Sequence, residues 1–193
     1  MTMPIPIPET HPLKRLFQVL TRRNFETRLG YADREVIGYL ADLLTDFTHI
    51  DNVYKIKTAT GRRVEEVAEM LLEGDVLLQA ASLDREREVH KHIGDYTLFM
   101  TGIFPEYVRR LKASKVLLNP DVLVDYIKTG KRSYRIVSEH TYGPYSTTAP
   151  LFRRLSEDFE LCVFGLGYVR KDLERLRHPE FRRITGLLEE VGF

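Results

Sequence analysis

Apolar residues recur at intervals of three and four in six separate segments of this chain, a spacing that one face of an α-helix satisfies and a strand does not. The cleanest run is Val36, Ile37, Leu40, Leu43, Leu44, Phe47 and Ile50. Asp33 stands where an N-cap is needed and Glu35 falls in the first turn, so a helix over 33–50 is expected. Upstream, Leu13, Leu16, Phe17 and Leu20 share a face, and Phe25 and Leu29 resume it after a break, with Gly30 as the stop. Arg62 to Leu72 is amphipathic through Val64, Val67, Ala68, Leu71 and Leu72 and stops at Gly74; Asp75 is placed to cap a short piece over Val76 to Ala81.

The second half continues in the same way. Ser82 or Asp84 caps a helix running to Ile103, and Pro105 opens another through Leu111 by the preference of proline for the first helical position. Asn119-Pro120 repeats that signal, with Val122, Leu123, Tyr126 and Ile127 on one face. Thr141 to Ala149 is rich in turn formers. Pro150 then opens a long helix facing inward through Leu151, Leu155, Phe159, Cys162, Val163, Leu166 and Val169, and His178-Pro179 starts a terminal one ending at Gly192. Only Val53 to Lys57 alternates like a strand. The expectation is an all-α fold: a single-domain helical bundle of seven to nine helices over 11–193, with at most a small extended piece near 53–64. Residues 1–10 are set apart as a proline-rich arm, because Pro4, Pro6 and Pro8 favour polyproline II and forbid helix.

Composition narrows the class. The lone cysteine, Cys162, rules out an internal disulfide framework and a cysteine-rich zinc site, and it fits a reducing compartment. The opening residues lack a basic segment followed by an unbroken apolar core, so no secretory signal is expected. The longest apolar run, Leu161 to Val169, is half of what a bilayer span needs. A cytoplasmic protein without membrane contact is the reading. The net charge of +1 argues against strong non-specific nucleic-acid binding. Residues 1–96 carry 13 basic and 16 acidic side chains and the remainder 16 and 12, an asymmetry small enough to reflect two faces of one domain.

The one hint of chemistry lies in Asp84-Arg-Glu-Arg-Glu-Val-His-Lys-His-Ile-Gly-Asp-Tyr-Thr-Leu-Phe-Met100. This helix begins charged and becomes apolar within two turns. His92 and Asp95, three apart, share a face at the transition. A polar pair carried under cover needs hydrogen-bond partners or a ligand to offset its desolvation. Asp46 and His49 repeat the spacing, and Glu88 lies four before His92, so Asp46, His49, Glu88, His92 and Asp95 form a candidate ligand or metal set. The pattern departs from the Glu-x-x-His of di-metal carboxylate bundles, and a hydrogen-bonded structural cluster is the stronger alternative. Tyr96, Phe99 and Met100 would line an adjoining pocket, or simply be core. Gly94 and Gly102, and likewise Gly165 and Gly167, suggest close approach of a neighbouring helix or ligand. Lys128, Lys131, Arg132 and Arg135 make a basic stripe, flanked by Tyr126 and Tyr134, that could meet an anion or nucleic acid, although a solvated face is the stronger reading.

No nucleotide loop, nucleophile elbow or zinc framework is present in the sequence. Three functions are therefore carried forward, and the sequence leaves open whether the protein is an enzyme. The first is a non-catalytic cytoplasmic interaction or regulatory module, self-associating as a homo-oligomer, with the proline arm and the Tyr-rich 142–150 loop as contact elements and a further protein partner allowed. The second is a ligand- or metal-binding bundle centred on His92 and Asp95. The third is an anion or nucleic-acid binder using residues 128–135.

Overall fold

A computed structural model describes residues 8, 11–58, 60–75, 80–113 and 124–177, together with 179, 182, 185 and 186. Among the described residues the fold is all-α, with nine α-helices and no strand, as the periodicity requires. The expected pieces at 1–7, 76–79, 114–123 and most of 178–192 lie outside these residues.

Helix α1 spans Pro12–Arg22, its first turn capped by His11 Nδ1, which accepts from the Leu13 N–H. The break expected after Leu20 does not occur. The helix instead widens into a π-turn, Arg23–Arg28, where the Asn24 amide donates both to the Leu20 carbonyl and to Asp172. Gly30, at φ +64°, ends it. Helix α2, Arg34–Asp46, starts at its predicted cap, with Asp33 accepting from the N–H groups of Glu35 and Val36. It stops one turn short of the expected residue 50. The Thr48 hydroxyl takes the Thr45 carbonyl and the Asn52 amide takes that of Asp46, so side chains replace the next helical donors. Ile50–Val53 forms the short helix α3.

The expected helix from Arg62 starts only at Val67, giving α4, Val67–Gly74. Residues 62–66 are extended because the Val64 N–H donates to the Ile56 carbonyl and the Thr58 N–H to that of Arg62, around a turn with Gly61 at φ +84°. A single antiparallel bridge, Lys57 to Arg63, is all the sheet-like pairing among the described residues.

Helix α5, Leu83–Ile103, is the axis of the molecule. Every residue from His92 to Ile103 is buried, which requires neighbours on all sides: α4, α6, α7 and α9 pack around it. Two of its glycines admit them. A Cβ on Gly94 would lie 2.5 Å from the Tyr134 ring, and one on Gly102 would lie 2.7 Å from Leu166 Cβ. Helix α6 is Pro105–Ala113, and α7, Tyr126–Glu139, is capped by Asp125, so Tyr126 and Ile127 open a helix there rather than continuing one from residue 120. After a 3₁₀ turn at Gly143–Thr147, the expected single long helix is two, α8, Ala149–Glu157, and α9, Phe159–Arg175. They meet at Asp158, whose carboxylate accepts from the Tyr31 hydroxyl at 2.8 Å.

Candidate functional site

On α5 the charged-to-apolar transition carries His92 and Asp95 to exposures of 0% and 2%. Asp95 Oδ1 accepts from the hydroxyls of Tyr39, at 2.5 Å, and Tyr134, at 2.8 Å. Oδ2 accepts from Lys91 Nζ at 2.6 Å, one helical turn back. Three helices thus converge on one carboxylate: Tyr39 from α2, Tyr134 from α7, and Lys91 from α5 itself. The ammonium stands beside two aromatic rings, its Nζ 5.2 Å from the centre of Tyr39 and 6.0 Å from that of Phe152, with the lysine side chain 31% exposed.

The electrostatics follow from this packing. Burial alone would raise the Asp95 carboxyl, but the charges of Lys91 and Lys55 and the bonds from Lys91 and Tyr39 hold it below the usual carboxylate range. Burial opposes the Lys91 ammonium in the same way, and its pairing with Asp95 raises it above an ordinary lysine. Burial and the Asp95 charge push Tyr39 and Tyr134 upward, so both phenols stay protonated donors. Lys91 and Asp95 remain ionised across the physiological range, and neither is poised to exchange a proton.

His92 meets a different element. Its Nε2 lies 3.0 Å from the Val53 carbonyl, an acceptor only, so Nε2 carries the proton and ties α5 to α3. Burial, reinforced by Lys55, pushes the imidazole down to about 3 and keeps it neutral. Nδ1 is then a bare acceptor, and it has no hydrogen-bond partner.

Of the remaining candidates, Asp46 lies within electrostatic reach of Lys91 and Asp95. Asp46 and His49 are exposed at the end of α2, and Glu88 is an exposed partner of Arg85. Among the described residues no group of three or more His, Cys, Asp or Glu side chains is placed to hold a metal ion. Tyr96, Phe99 and Met100 are core: Tyr96 packs against Tyr54 and Tyr126, and Phe99 against Phe47 and Phe104. An open groove of about 210 Å³ runs between α1 and α2 past Gln18, Arg22, Ile37 and Ala41, and none of the candidates lines it.

The basic stripe does form along α7, with Lys128, Arg132 and Arg135 exposed and Lys131 half-buried. Three of its four cations have carboxylate partners: Lys131 with Glu160 at 2.8 Å, Arg135 with Glu139 at 3.6 Å and Lys128 with Asp125 at 3.8 Å. Tyr126 and Tyr134, expected beside the stripe as stacking rings, are 1% and 0% exposed and face the core. They cannot meet a base. Cys162 is buried, and burial pushes its thiol well up, away from the reactive thiolate.

Sequence reasoning missed Tyr39, Lys91 and the true place of Tyr134. Lys91 was within reach, since it lies four residues before Asp95 in the same helix. A second polar cluster on the charged half of α5 was also missed. His140 Nε2 faces Glu86 at 3.3 Å, Tyr142 donates to Asp84 at 3.1 Å, and Arg87 stacks over Tyr145 with its carbon 4.0 Å from the ring centre. Beneath it His90 Nδ1 meets the Ser133 hydroxyl at 3.2 Å, and burial, with the charges of Arg132 and His140 adding to it, pushes this imidazole down to about 4.

No protein-family model, curated protein or solved structure matches the chain.

Proposed function

We propose that this protein is a non-catalytic interaction module whose polar cluster braces its fold. The observation that carries this reading is that the Asp95 carboxylate is taken up by the chain's own donors, two tyrosines and a lysine drawn from three helices. A general acid or base needs a titration near working pH and a proton path to substrate. Here both groups are held in their charged forms, and the Asp95 carboxylate is buried beneath its donors. The metal reading lacks a convergent set among the described residues, and the nucleic-acid reading has most of its cations neutralised and both of its rings in the core. No helix among the described residues is long and apolar enough to cross a membrane. With the single cysteine reduced and inert, a cytoplasmic location fits this role.

The test is the sign of a stability change. Residues kept for function are strained, and neutralising them commonly stabilises a fold, whereas removing a brace destabilises it. Asp95→Asn should lower the urea midpoint clearly. An unchanged or higher midpoint would mark the cluster as a working site and end this reading.

A further inference from the structure

Helix α9 carries its buried residues on one side and a second, separate stripe on the other. Phe164, Tyr168, Lys171 and Arg175 recur at intervals of three and four, so they form one line along the outer face. Phe164 is 59% exposed, the sort of large ring that packs inward in a self-contained fold. Its ring meets that of Tyr168 edge to face at 5.1 Å, and Arg28 and Lys171 lie over the Tyr168 ring at 5.2 and 5.4 Å. Gly167 stands beside the stripe, and a Cβ there would meet nothing within 4 Å. Gly165 is accounted for by the Phe25 ring packed against it. Gly167 has no such reason among the described residues, although glycine weakens a helix interior relative to alanine. Close approach of a surface from outside supplies one.

The ends of the stripe decide which surface. Glu157, the last residue of α8, and Glu160 stand exposed at its start, bridged within the chain to Arg153 and Lys131, and Lys171 and Arg175 stand exposed at its finish. An anionic lipid bilayer would be attracted at one end only. A second α9 laid antiparallel matches both. With the two-fold axis near residue 166, Phe164 of each copy meets Tyr168 of the other, and the glutamate end of each lies against the lysine and arginine end of the other. A two-fold contact has to be self-complementary in this sense, and it also sets the helix dipoles head to tail.

We infer that the outer face of α9 is a homodimer interface, built on Phe164 and Tyr168 and oriented by the opposed charges at its ends. The inference rests on the interaction-module reading and names the partner, a second copy of this chain. Helix α9 is about 25 Å long at 1.5 Å per residue. One helix pair buries less than the roughly 800 Å² per partner of a standard interface, so the dimer should form in the micromolar range.

Sedimentation velocity over a concentration series tests it. The wild-type chain should pass from monomer to dimer. Phe164→Glu should weaken that step at least about 30-fold, the scale of a central aromatic anchor, while thermal unfolding of the monomer stays in place because the side chain is exposed. The charge arms stand independently of that variant. Glu157→Lys/Glu160→Lys and Lys171→Glu/Arg175→Glu should each be monomeric alone, and an equimolar mixture of the two should form a heterodimer. A wild-type monomer up to several hundred micromolar overturns the proposal, as does a dimer indifferent to Phe164→Glu or charge variants that do not pair on mixing. A monomer that floats with anionic vesicles through Phe164 would overturn it in favour of a lipid surface. None of these outcomes touches Asp95, so the dimer and the non-catalytic reading fail separately.

Discussion

Helix α5 makes the same two contacts twice, once near its exposed start and once inside the core. At the start, Tyr142 donates to Asp84 and Arg87 stacks over Tyr145. Three turns on, Tyr39 and Tyr134 donate to Asp95, and Lys91 lies over the Tyr39 ring. The chemical groups are nearly interchangeable; the surroundings are not. Asp84 and Tyr142 are exposed, and water would satisfy either if its partner left. Asp95 is 2% exposed, and no water replaces a lost donor. Equal hydrogen bonds therefore carry unequal weight, because what matters is the state left behind when one is broken.

That contrast can be tested in descending order of size. Asp95→Ala leaves the Lys91 ammonium and two phenols without their acceptor, and equilibrium urea unfolding should show a loss of about 3–5 kcal/mol, the scale for a broken buried ion pair. A loss below about 1 kcal/mol would place the inner cluster on a level with the outer one.

Acid should act on the inner half next. His92 and His90 are held near 3 and 4 in the folded chain against about 6.5 when unfolded. The unfolded chain thus binds more protons as the pH falls, so stability is full above about pH 6.5 and declines from there toward pH 3–4. Below about 3.8 Asp95, lowered in the fold, adds its own loss in the same direction. Each tenfold difference in proton affinity between the two states is worth about 1.4 kcal/mol, so the two histidines together amount to several kcal/mol. Replacing His92 by Gln should flatten part of the decline; a stability curve flat from pH 7 to 4 would mean that neither imidazole is buried neutral.

Gly94→Ala should cost about 1–3 kcal/mol, since the new methyl meets the Tyr134 ring and displaces the hydroxyl that Asp95 uses. Pairing it with Tyr134→Phe in a double-mutant cycle sharpens the point, because the two changes act on one contact and should be less than additive. Tyr134→Phe alone should cost about 1–3 kcal/mol through the lost charge-assisted bond. The smallest effect belongs to the outer cluster. Tyr142→Phe should leave the urea midpoint where it is, and a clear shift would show that the 3₁₀ turn at Gly143–Thr147 is held by that contact.

The spread of legibility in the sequence follows the same line between near and far. Asp33, Ser82 and Pro105 mark helix starts through strictly local geometry, and each start is found where the residues place it. His92 and Asp95 are buried where the pattern turns apolar, because a helix carries every neighbour of its own stripe under the same cover. The errors arise where a more distant contact overrode a local pattern. Val64 fits a helical face, yet its N–H is taken by Ile56. Leu151 to Val169 fits one helix, yet the chain bends at Asp158.

What the sequence by itself determined is the all-α class, most helix starts, and the burial of a histidine and an aspartate on the central helix. Those depend on periods and caps spanning at most a few turns. Only the tertiary structure decided who meets them. Tyr39 and Tyr134 lie 56 and 39 residues from Asp95, and nothing in their own neighbourhoods sets them apart from the other tyrosines. Tyr134 even reads as the edge of a basic surface until Gly94 lets its ring against α5. The same holds for the outer face of α9. Phe164 already falls off the inward stripe of Cys162, Leu166 and Val169, and only the packing shows its ring left 59% exposed. A helix period tells which residues share a face, but which face finds a neighbour is settled by the other helices.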